Sequence, residues 1–482
     1  MSVRRSLVLA SAASNGAALI GFASSMILAR LMIPSEVGVF SIAAALIGLV
    51  SSLRDFGVSA YLIRSPQLDR AKIAASYGVM IVASWGLALI IALASPLAAT
   101  IYRDARVGDL MLILALNLML VPFGALTMAY LTREMRFGAQ FVLNISSALA
   151  NAGIAIALAW LGYGAYSLAW AGLGSTLTTI LVSFLYRPDW WPWLPTLKGW
   201  REVVSFGAPV TGGALAGHLN SAAVDLITGQ MIGPEAVALY GKAQSIRGLF
   251  EQFFMVAIRL VALPHFATLV RNNVGLRSTY LVASNMLTGI GWPFAALLLV
   301  LAEPLVLLLF GNSWLGSAPL LIWTALWMII SLPCHLIHSV LIAMGHAESL
   351  LKAELTMLSV KIVVVVLAAP MGIEAVAIAL LLQSCIYVLV WSSRLRTAIG
   401  LNLFDLLRAQ LNSAPPALAC GIAAYFGREY CQHLALPPLP TVALCMTLGG
   451  LVWLASIWAV HHPLAAEILR LSRAMTVGRS TK

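Results

Sequence analysis

The chain has 482 residues, of which 61% are hydrophobic and only 10% charged, and its formal net charge is +11. Soluble globular domains carry about 25% charged residues, so an ordinary soluble fold is excluded and a polytopic membrane protein is expected. The positive balance does not indicate nucleic acid, because basic residues between apolar spans serve as topology signals.

In chain order, apolar runs bounded by charge, Pro and Gly predict an all-α chain of about fourteen transmembrane helices. They cover roughly 7–32, 37–63, 73–97, 110–131, 139–161, 165–186, 203–228, 236–264, 278–302, 315–344, 349–369, 373–393, 410–427 and 440–460. Arg4 and Arg5 imitate the start of a signal peptide, but the apolar run behind them continues to Met32, so a retained first helix is expected. Loops are short, and the Trp/Pro-rich stretch from Arg187 to Glu202 is the longest polar one before the tail; its tryptophans are expected in the headgroup belt. Cys334, Cys385, Cys420, Cys431 and Cys445 include no C-x-x-C pair, and all but Cys431 fall inside apolar runs, so neither a disulfide framework nor a metal site follows.

With the N-terminus placed in the cytoplasm, alternate loops sort Lys and Arg strongly to the inner side, leaving only Arg30, Arg103, Arg106 and Arg428 outside. That bias predicts cytoplasmic termini and an even number of helices. Arg54, Lys242, Arg247, Arg259 and Lys361 remain within spans. On insertion scales a charge at a helix centre costs about 2.5–3.5 kcal/mol while a Leu or Val returns about 0.3–0.6, so the run from Ala236 to Phe266, with Lys242, Arg247, Glu251 and Arg259, inserts poorly alone. Lys242 and Arg259 lie near its ends, where they can snorkel. Arg247 and Glu251 lie near its middle and must face protein or a wet cavity, which makes them candidates for a substrate or ion pathway.

The chain also repeats itself. Arg30-Leu-Met-Ile-Pro34, followed by Val37, Phe40, Ala43, Gly48 and Leu49, matches Gln230-Met-Ile-Gly-Pro234, followed by Val237, Tyr240, Ala243, Gly248 and Leu249. Six predicted helices separate the copies, so the halves are parallel repeats, an arrangement that places substrate between them near the midplane.

Several segments carry a family likeness: Ala29-Arg30-Leu31 through Pro34, with Glu36, Gly38 and Phe40; Arg54-Asp55-Phe56-Gly57; Leu131-Thr-Arg-Glu-Met-Arg-Phe137; Gly162-Tyr-Gly-Ala-Tyr-Ser-Leu168; and Asp225 through Gly233-Pro-Glu-Ala-Val-Ala-Leu-Tyr240-Gly-Lys-Ala243. Over about residues 5–400 the chain resembles the polysaccharide flippases of the multidrug/oligosaccharidyl-lipid/polysaccharide exporter superfamily. The resemblance implies two six-helix bundles forming a V-shaped cavity, with two further C-terminal helices. The expected organisation is therefore 1–186 as the N-terminal bundle, 187–202 as a cytoplasmic linker, 203–393 as the C-terminal bundle, and 394–482 as two additional helices with a basic cytoplasmic tail. It further implies a multi-pass bacterial inner-membrane transporter, not an enzyme, that moves undecaprenyl-pyrophosphate-linked oligosaccharides to the periplasmic leaflet by alternating access. A polysaccharide polymerase and chain-length machinery are candidate partners.

The family supplies no universal motif, so site residues rest on charge and position. The pyrophosphate and sugar candidates are Arg247, Arg54, Lys361, Lys242 and Arg259, since guanidinium groups hold phosphate through a planar fork of donors. Against that stands a structural role, with Arg54 paired to Asp55 or a neighbouring helix and Arg247 to Glu251 at i,i+4. Asp225, Glu251, His218 and Asp55 are candidates for ion coupling, by H⁺ or Na⁺, or for charge pairing; Thr211, His218 and Asp225, spaced by sevens, share one helix face. Asn15, Ser24, Ser25 and Gly213-x-x-x-Gly217 read as packing. No phosphate-binding loop motif for ATP occurs, and no cofactor is expected. The rival readings are an ion-coupled drug exporter, which needs an acidic and aromatic site, and a cell-wall lipid-precursor flippase. A membrane ligase, polymerase or acyltransferase is disfavoured because no predicted outer loop is long.

Overall fold

The computed structural model describes residues 3–477 apart from 56, 66, 67 and 193, and the side chains of these apart from 3–14, 52, 205–214, 216, 347 and 471–477. Thr211 and Gly213, as side chains, and Phe56 and Trp193 lie outside the described residues. The regular elements described are helical: α1 (Val3–Leu31), α2 (Pro34–Arg54), α3 (Val58–Arg64), α4 (Arg70–Ile101), α5 (Ala105–Leu120), α6 (Pro122–Arg133), α7 (Phe137–Trp160), α8 (Ala165–Phe184), α9 (Trp200–Met231), α10 (Pro234–Phe250), α11 (Val256–Arg271), α12 (Leu276–Leu309), α13 (Ser317–Ser331), α14 (Ile337–Ala343), α15 (Ala347–Ala368), α16 (Ile373–Ile399), α17 (Leu403–Gln410), α18 (Ala414–His433), α19 (Pro438–Ala459) and α20 (Pro463–Val477). All-α architecture is what the apolar periodicity predicts.

The count differs from expectation. Among the described residues nine helical stretches are long and apolar enough to cross a membrane, ten if α5 and α6, bent by 48° at Pro122, count as one. Fourteen is not reached by that measure. The stretch of α1 with described side chains, Asn15–Leu31, is short of a full span, and Glu348, Lys352, Glu354 and Lys361 dilute the apolarity of α15. The span expected over 37–63 is broken: α2 ends at Arg54, and Gly57, at φ 66°, turns the chain into α3. In contrast, α10 and α11 run as one stretch through a single π-helical turn, Glu251–Met255.

Loop brevity has a backbone cause. Arg103, Met135, Asn273, Ala435 and His461 all have positive φ just beyond a helix end. In each case the following N–H donates to a carbonyl of the last turn, as Arg136 does to Leu131 at 2.9 Å and His462 to Ile457 at 2.9 Å. These left-handed caps satisfy orphan carbonyls and reverse the chain within a few residues.

The chain divides into two compact units, Met1–Ala238 and Leu239–Lys482. In the first, α1 packs on α7, α7 on α8, α4 on α5, and α9 on α2. Its core joins Val39, Ile42 and Ala43 of α2 with Val107, Leu110 and Met111 of α5 and Val237. Lipid tails are as apolar as Leu, so close packing rather than hydrophobicity holds such helices together. Gly38 shows how close: a Cβ there would lie 1.8 Å from the Pro234 carbonyl oxygen. The segment after Arg187 is pinned to this unit, because Thr196 N–H donates to Ala74 O at 3.0 Å and Gly78 faces Thr196 with no room for a Cβ. Arg187 donates to the Phe123 carbonyl and to Thr127 Oγ1 and lies over the Phe184 ring. Trp191 is buried beneath it, its ring enclosed by Tyr130 and Arg187, whereas Trp190 and Trp200 of the same stretch are exposed.

In the second unit α12 is central, packing against α13, α18 and α19. A buried polar seam joins it to its neighbours: Thr288 Oγ1 donates to Gln410 Oε1 at 2.5 Å and lies 2.9 Å from Ser413 Oγ, and Gln410 Nε2 donates to Ser284 Oγ at 3.1 Å. Satisfied networks of this kind fix a single packing arrangement.

Candidate functional site

In the first unit, Arg54 sits in the last turn of α2, where a cation is favoured by the helix dipole. It feels the charge of Asp55, yet Asp55 is occupied otherwise, its Oδ1 accepting from Ser59 Oγ at 2.7 Å and so fixing the start of α3. The buried Nε of Arg54 has no hydrogen-bond partner.

Asp225 and His218, seven residues apart on α9, come together as their spacing predicts. They line a cleft of about 330 Å³ with Ser221 and Ala222 on one side and Phe40, Ser41, Ala44, Ala45, Gly48 and Leu49 of α2 on the other. Ser221 turns its hydroxyl back to the helix carbonyls of Gly217 and His218. Among the described residues Asp225 has neither an ion pair nor a hydrogen bond. A half-buried carboxylate in an apolar-walled cleft can hold a proton or a small cation.

The second unit gathers most of the remaining candidates. Arg247, near the end of α10, donates from Nε to Gln244 Oε1 at 2.7 Å, and its guanidinium lies 5.0 Å from the centre of the Trp327 ring. Glu251 pairs not with Arg247 but with Arg259 at 2.5 Å. Residues eight apart on a regular α-helix sit about 80° off one another; the extra residue held in the π turn at Glu251–Met255 swings Arg259 back onto the face of Glu251. Arg247 is thereby left with no carboxylate at ion-pair distance among the described residues. Lys361, on α15, feels the charges of Arg247 and Glu354.

Lys242 belongs elsewhere. Its Nζ is buried 4.7 Å from the Phe310 ring centre and 5.1 Å from that of Trp314, a cation–π site that holds α10 against the end of α12.

Sequence reasoning missed an aromatic and acid–base row in the same unit. Trp327 meets His335, His335 meets Tyr387, Tyr387 meets Trp391, and Trp391 meets His338 with ring centres 4.6 Å apart. His338 Nε2 lies 2.7 Å from Glu354 Oε1. His335 Nδ1 lies 3.0 Å from the Ser331 carbonyl. The sequence signals were present: two histidines three residues apart in an apolar run, and a glutamate seven before Lys361, which puts both on one face of α15. The cluster thus sets Arg247, Arg259 and Lys361 against Glu251 and Glu354 beside the partly buried rings of Trp327 and Tyr387. It can bind an anion by charge and a sugar by stacking. No group of three or more His, Cys, Asp and Glu side chains that could hold a metal occurs among the described residues.

Comparison with known proteins gives a consistent picture. A family profile described as polysaccharide biosynthesis protein matches residues 27–319. The teichuronic acid biosynthesis protein TuaB of Bacillus subtilis (strain 168) is 24% identical over 87% of either chain. The lipopolysaccharide biosynthesis protein WzxC of Escherichia coli (strain K12) is 22% identical over 63% of this chain and 62% of its own. A solved structure of the lipid II flippase MurJ in an inward closed conformation superposes with a TM-score of 0.77 at 15% identity, covering 95% of this chain and all of the other. At that identity the likeness speaks for the fold, the MurJ-like arrangement of helices.

Proposed function

Because this chain belongs to the polysaccharide biosynthesis protein family, we propose that it is a flippase that moves undecaprenyl-pyrophosphate-linked oligosaccharide repeat units from the cytoplasmic to the periplasmic leaflet of the bacterial inner membrane. The polyprenyl tail is at home in the bilayer. The pyrophosphate and the sugars are not, so the protein must replace their hydration during passage. The observation that carries the reading is Arg247: a guanidinium at membrane depth whose described partners are one neutral amide and one indole face. Its remaining donors suit the paired oxygens of a phosphate. Lys361 and Arg259 add positive charge in the same unit, Arg54 is the corresponding cation of the first, and Lys242 acts through packing.

Asp225, with His218, is the coupling site for H⁺ or Na⁺. Glu251 and Asp55 position their neighbours and do not bind the ion. The chain transports and makes no bond; a polymerase and chain-length machinery receive its product. The Lys and Arg bias supports cytoplasmic termini. A drug exporter for cations fits less well, because three cations in the second-unit cluster face only two carboxylates.

Arg247→Gln tests the reading. Losing one or two charge-assisted hydrogen bonds at about 1.5–3 kcal/mol each should weaken anion binding roughly tenfold or more, with the variant still folded and inserted. Arg247→Lys, which keeps charge but not the fork, should fall between. Wild-type flipping by a well-folded Arg247→Gln protein removes Arg247 from the site.

A further inference from the structure

His338 on α14 and Glu354 on α15 join two helices through a 2.7 Å contact between Nε2 and Oε1, and their side chains remain 35% and 31% exposed. The pair is therefore not sealed inside the protein. A neutral imidazole beside an ionised carboxylate keeps its proton on Nε2 and donates it, which leaves Nδ1 as the basic nitrogen. Nδ1 has no hydrogen-bond partner among the described residues. Behind the ring stands Trp391, fully buried, with its indole N–H unpartnered.

The charged and titratable groups around the pair are Arg247 on α10, Glu251 in the π turn, Arg259 on α11, Cys334 and His335 ahead of α14, Lys361 on α15 and Tyr387 on α16. With both imidazoles neutral, three cations face two carboxylates. Lys361 is shared in this balance between Glu354 and whatever anion enters. An incoming pyrophosphate adds negative charge to the cluster and competes with Glu354 for Lys361. Both effects favour a positive imidazole at His338, which then holds the displaced Glu354 carboxylate.

We propose that His338, paired with Glu354, is a proton site linked to anion binding: pyrophosphate enters the Arg247–Lys361 cluster as His338 Nδ1 takes one proton from water, and leaves as that proton is returned. The proposal rests on the reading of this cluster as the pyrophosphate site. Linkage is reciprocal, so acid must strengthen anion binding by the same factor by which the anion strengthens protonation.

The test is calorimetric titration of the full chain in lipid nanodiscs with inorganic pyrophosphate, near pH 6.5, in two buffers of different ionisation enthalpy. The difference between buffers gives protons taken up per anion. Pyrophosphate's own titration is common to all variants, so the comparison with His338→Gln isolates the imidazole. Wild type should take up more protons per anion than His338→Gln, and its binding should weaken several-fold more steeply between pH 6 and pH 8. Glu354→Gln, which keeps His338, should change the pH dependence of the uptake; an unchanged profile overturns the pairing. Equal uptake in wild type and His338→Gln overturns the proton site while leaving the anion site in place. No binding of either pyrophosphate or undecaprenyl pyrophosphate by folded wild type overturns the anion site and the linkage with it. Uptake seen with the lipid-borne anion as well as the free one assigns the linkage to transport substrate; uptake with free pyrophosphate alone overturns that assignment.

Discussion

A charge at membrane depth is costly, about 2.5–3.5 kcal/mol on insertion scales, and the residues that bear this cost here divide into two kinds. Lys242 is buried against two aromatic faces, and Glu251 is matched by Arg259 in a half-exposed ion pair. Arg247, Arg54 and Asp225 lack a charged partner at ion-pair distance among the described residues, and such residues are the ones a ligand can complete. Asp225→Asn should therefore leave the fold intact and reduce the stimulation of transport by an imposed H⁺ or Na⁺ gradient roughly fivefold or more. Gradient dependence equal to wild type in reconstituted vesicles would return Asp225 to a structural role. Isolated charges in apolar runs are conspicuous, so Arg247, Arg54, Lys361 and Asp225 could be singled out from the sequence. What the residues would pair with could not. The alternative of an Arg247–Glu251 pair is not formed because a π turn, invisible in the periodicity, redirects Glu251 to Arg259. His335, His338 and Glu354 went unnoticed because the 3₁₀ turn Leu332–Cys334 sets their direction and long-range contacts with Trp391 and Tyr387 give them meaning.

At the scale of elements, the repeat is physical. Helix α1 ends at Leu31 and α2 begins at Pro34; two hundred residues on, α9 ends at Met231 and α10 begins at Pro234. Proline at the first helical position fixes both restarts. Among the positions at which the two turns differ, Gly38 has Ala238 as its counterpart, and of the two only Gly38 faces a carbonyl that forbids a Cβ. Gly38→Ala should cost about 1–3 kcal/mol or more through overpacking, visible as a lower unfolding temperature in detergent, while Gly48→Ala, in open space, should be nearly silent. Equal stability of the two variants would contradict the close approach.

The seam around α12 gives a pH-dependent prediction. His462, just beyond α19, accepts from the Leu464 N–H at Nδ1 and so donates from Nε2 to Ser413 Oγ at 3.0 Å. Burial holds its imidazole below the ordinary value. The unfolded chain then binds a proton at a pH where the folded one does not, so stability is full above the ordinary imidazole range and is lost as pH falls through it. The unfolding temperature should drop between pH 7 and pH 5, and His462→Gln should flatten that slope; an equal slope in the variant would exclude His462 as its cause. Helix existence was legible at this scale, whereas the breaks at Asp55–Gly57 and Pro122 were not, because Gly57 and Pro122 are ambiguous signals: Pro293 and Pro304 lie inside the unbroken α12.

Each compact unit has its own core and its own membrane-depth charges with no charged partner at ion-pair distance among the described residues: Arg54 and Asp225 in the first, Arg247 in the second. Composition and the spacing of apolar runs were sufficient for an all-α membrane protein, and the likeness in segments such as Arg54-Asp55 through Gly57 and Gly162 through Leu168 agrees with the family match over residues 27–319. The number of spans was the weaker reading. Functional helices carry charge for their task, and that charge lowers the apolarity by which spans are recognised, as α15 illustrates.

The most direct test of the account reconstitutes the purified chain in proteoliposomes with a fluorescent undecaprenyl-pyrophosphate oligosaccharide and follows access of an impermeant quencher to the glycan. The account predicts protein-dependent movement of the glycan between leaflets that Arg247→Gln reduces roughly tenfold or more. Folded wild-type protein that leaves the labelled lipid in its original leaflet, across several glycan heads, would contradict it.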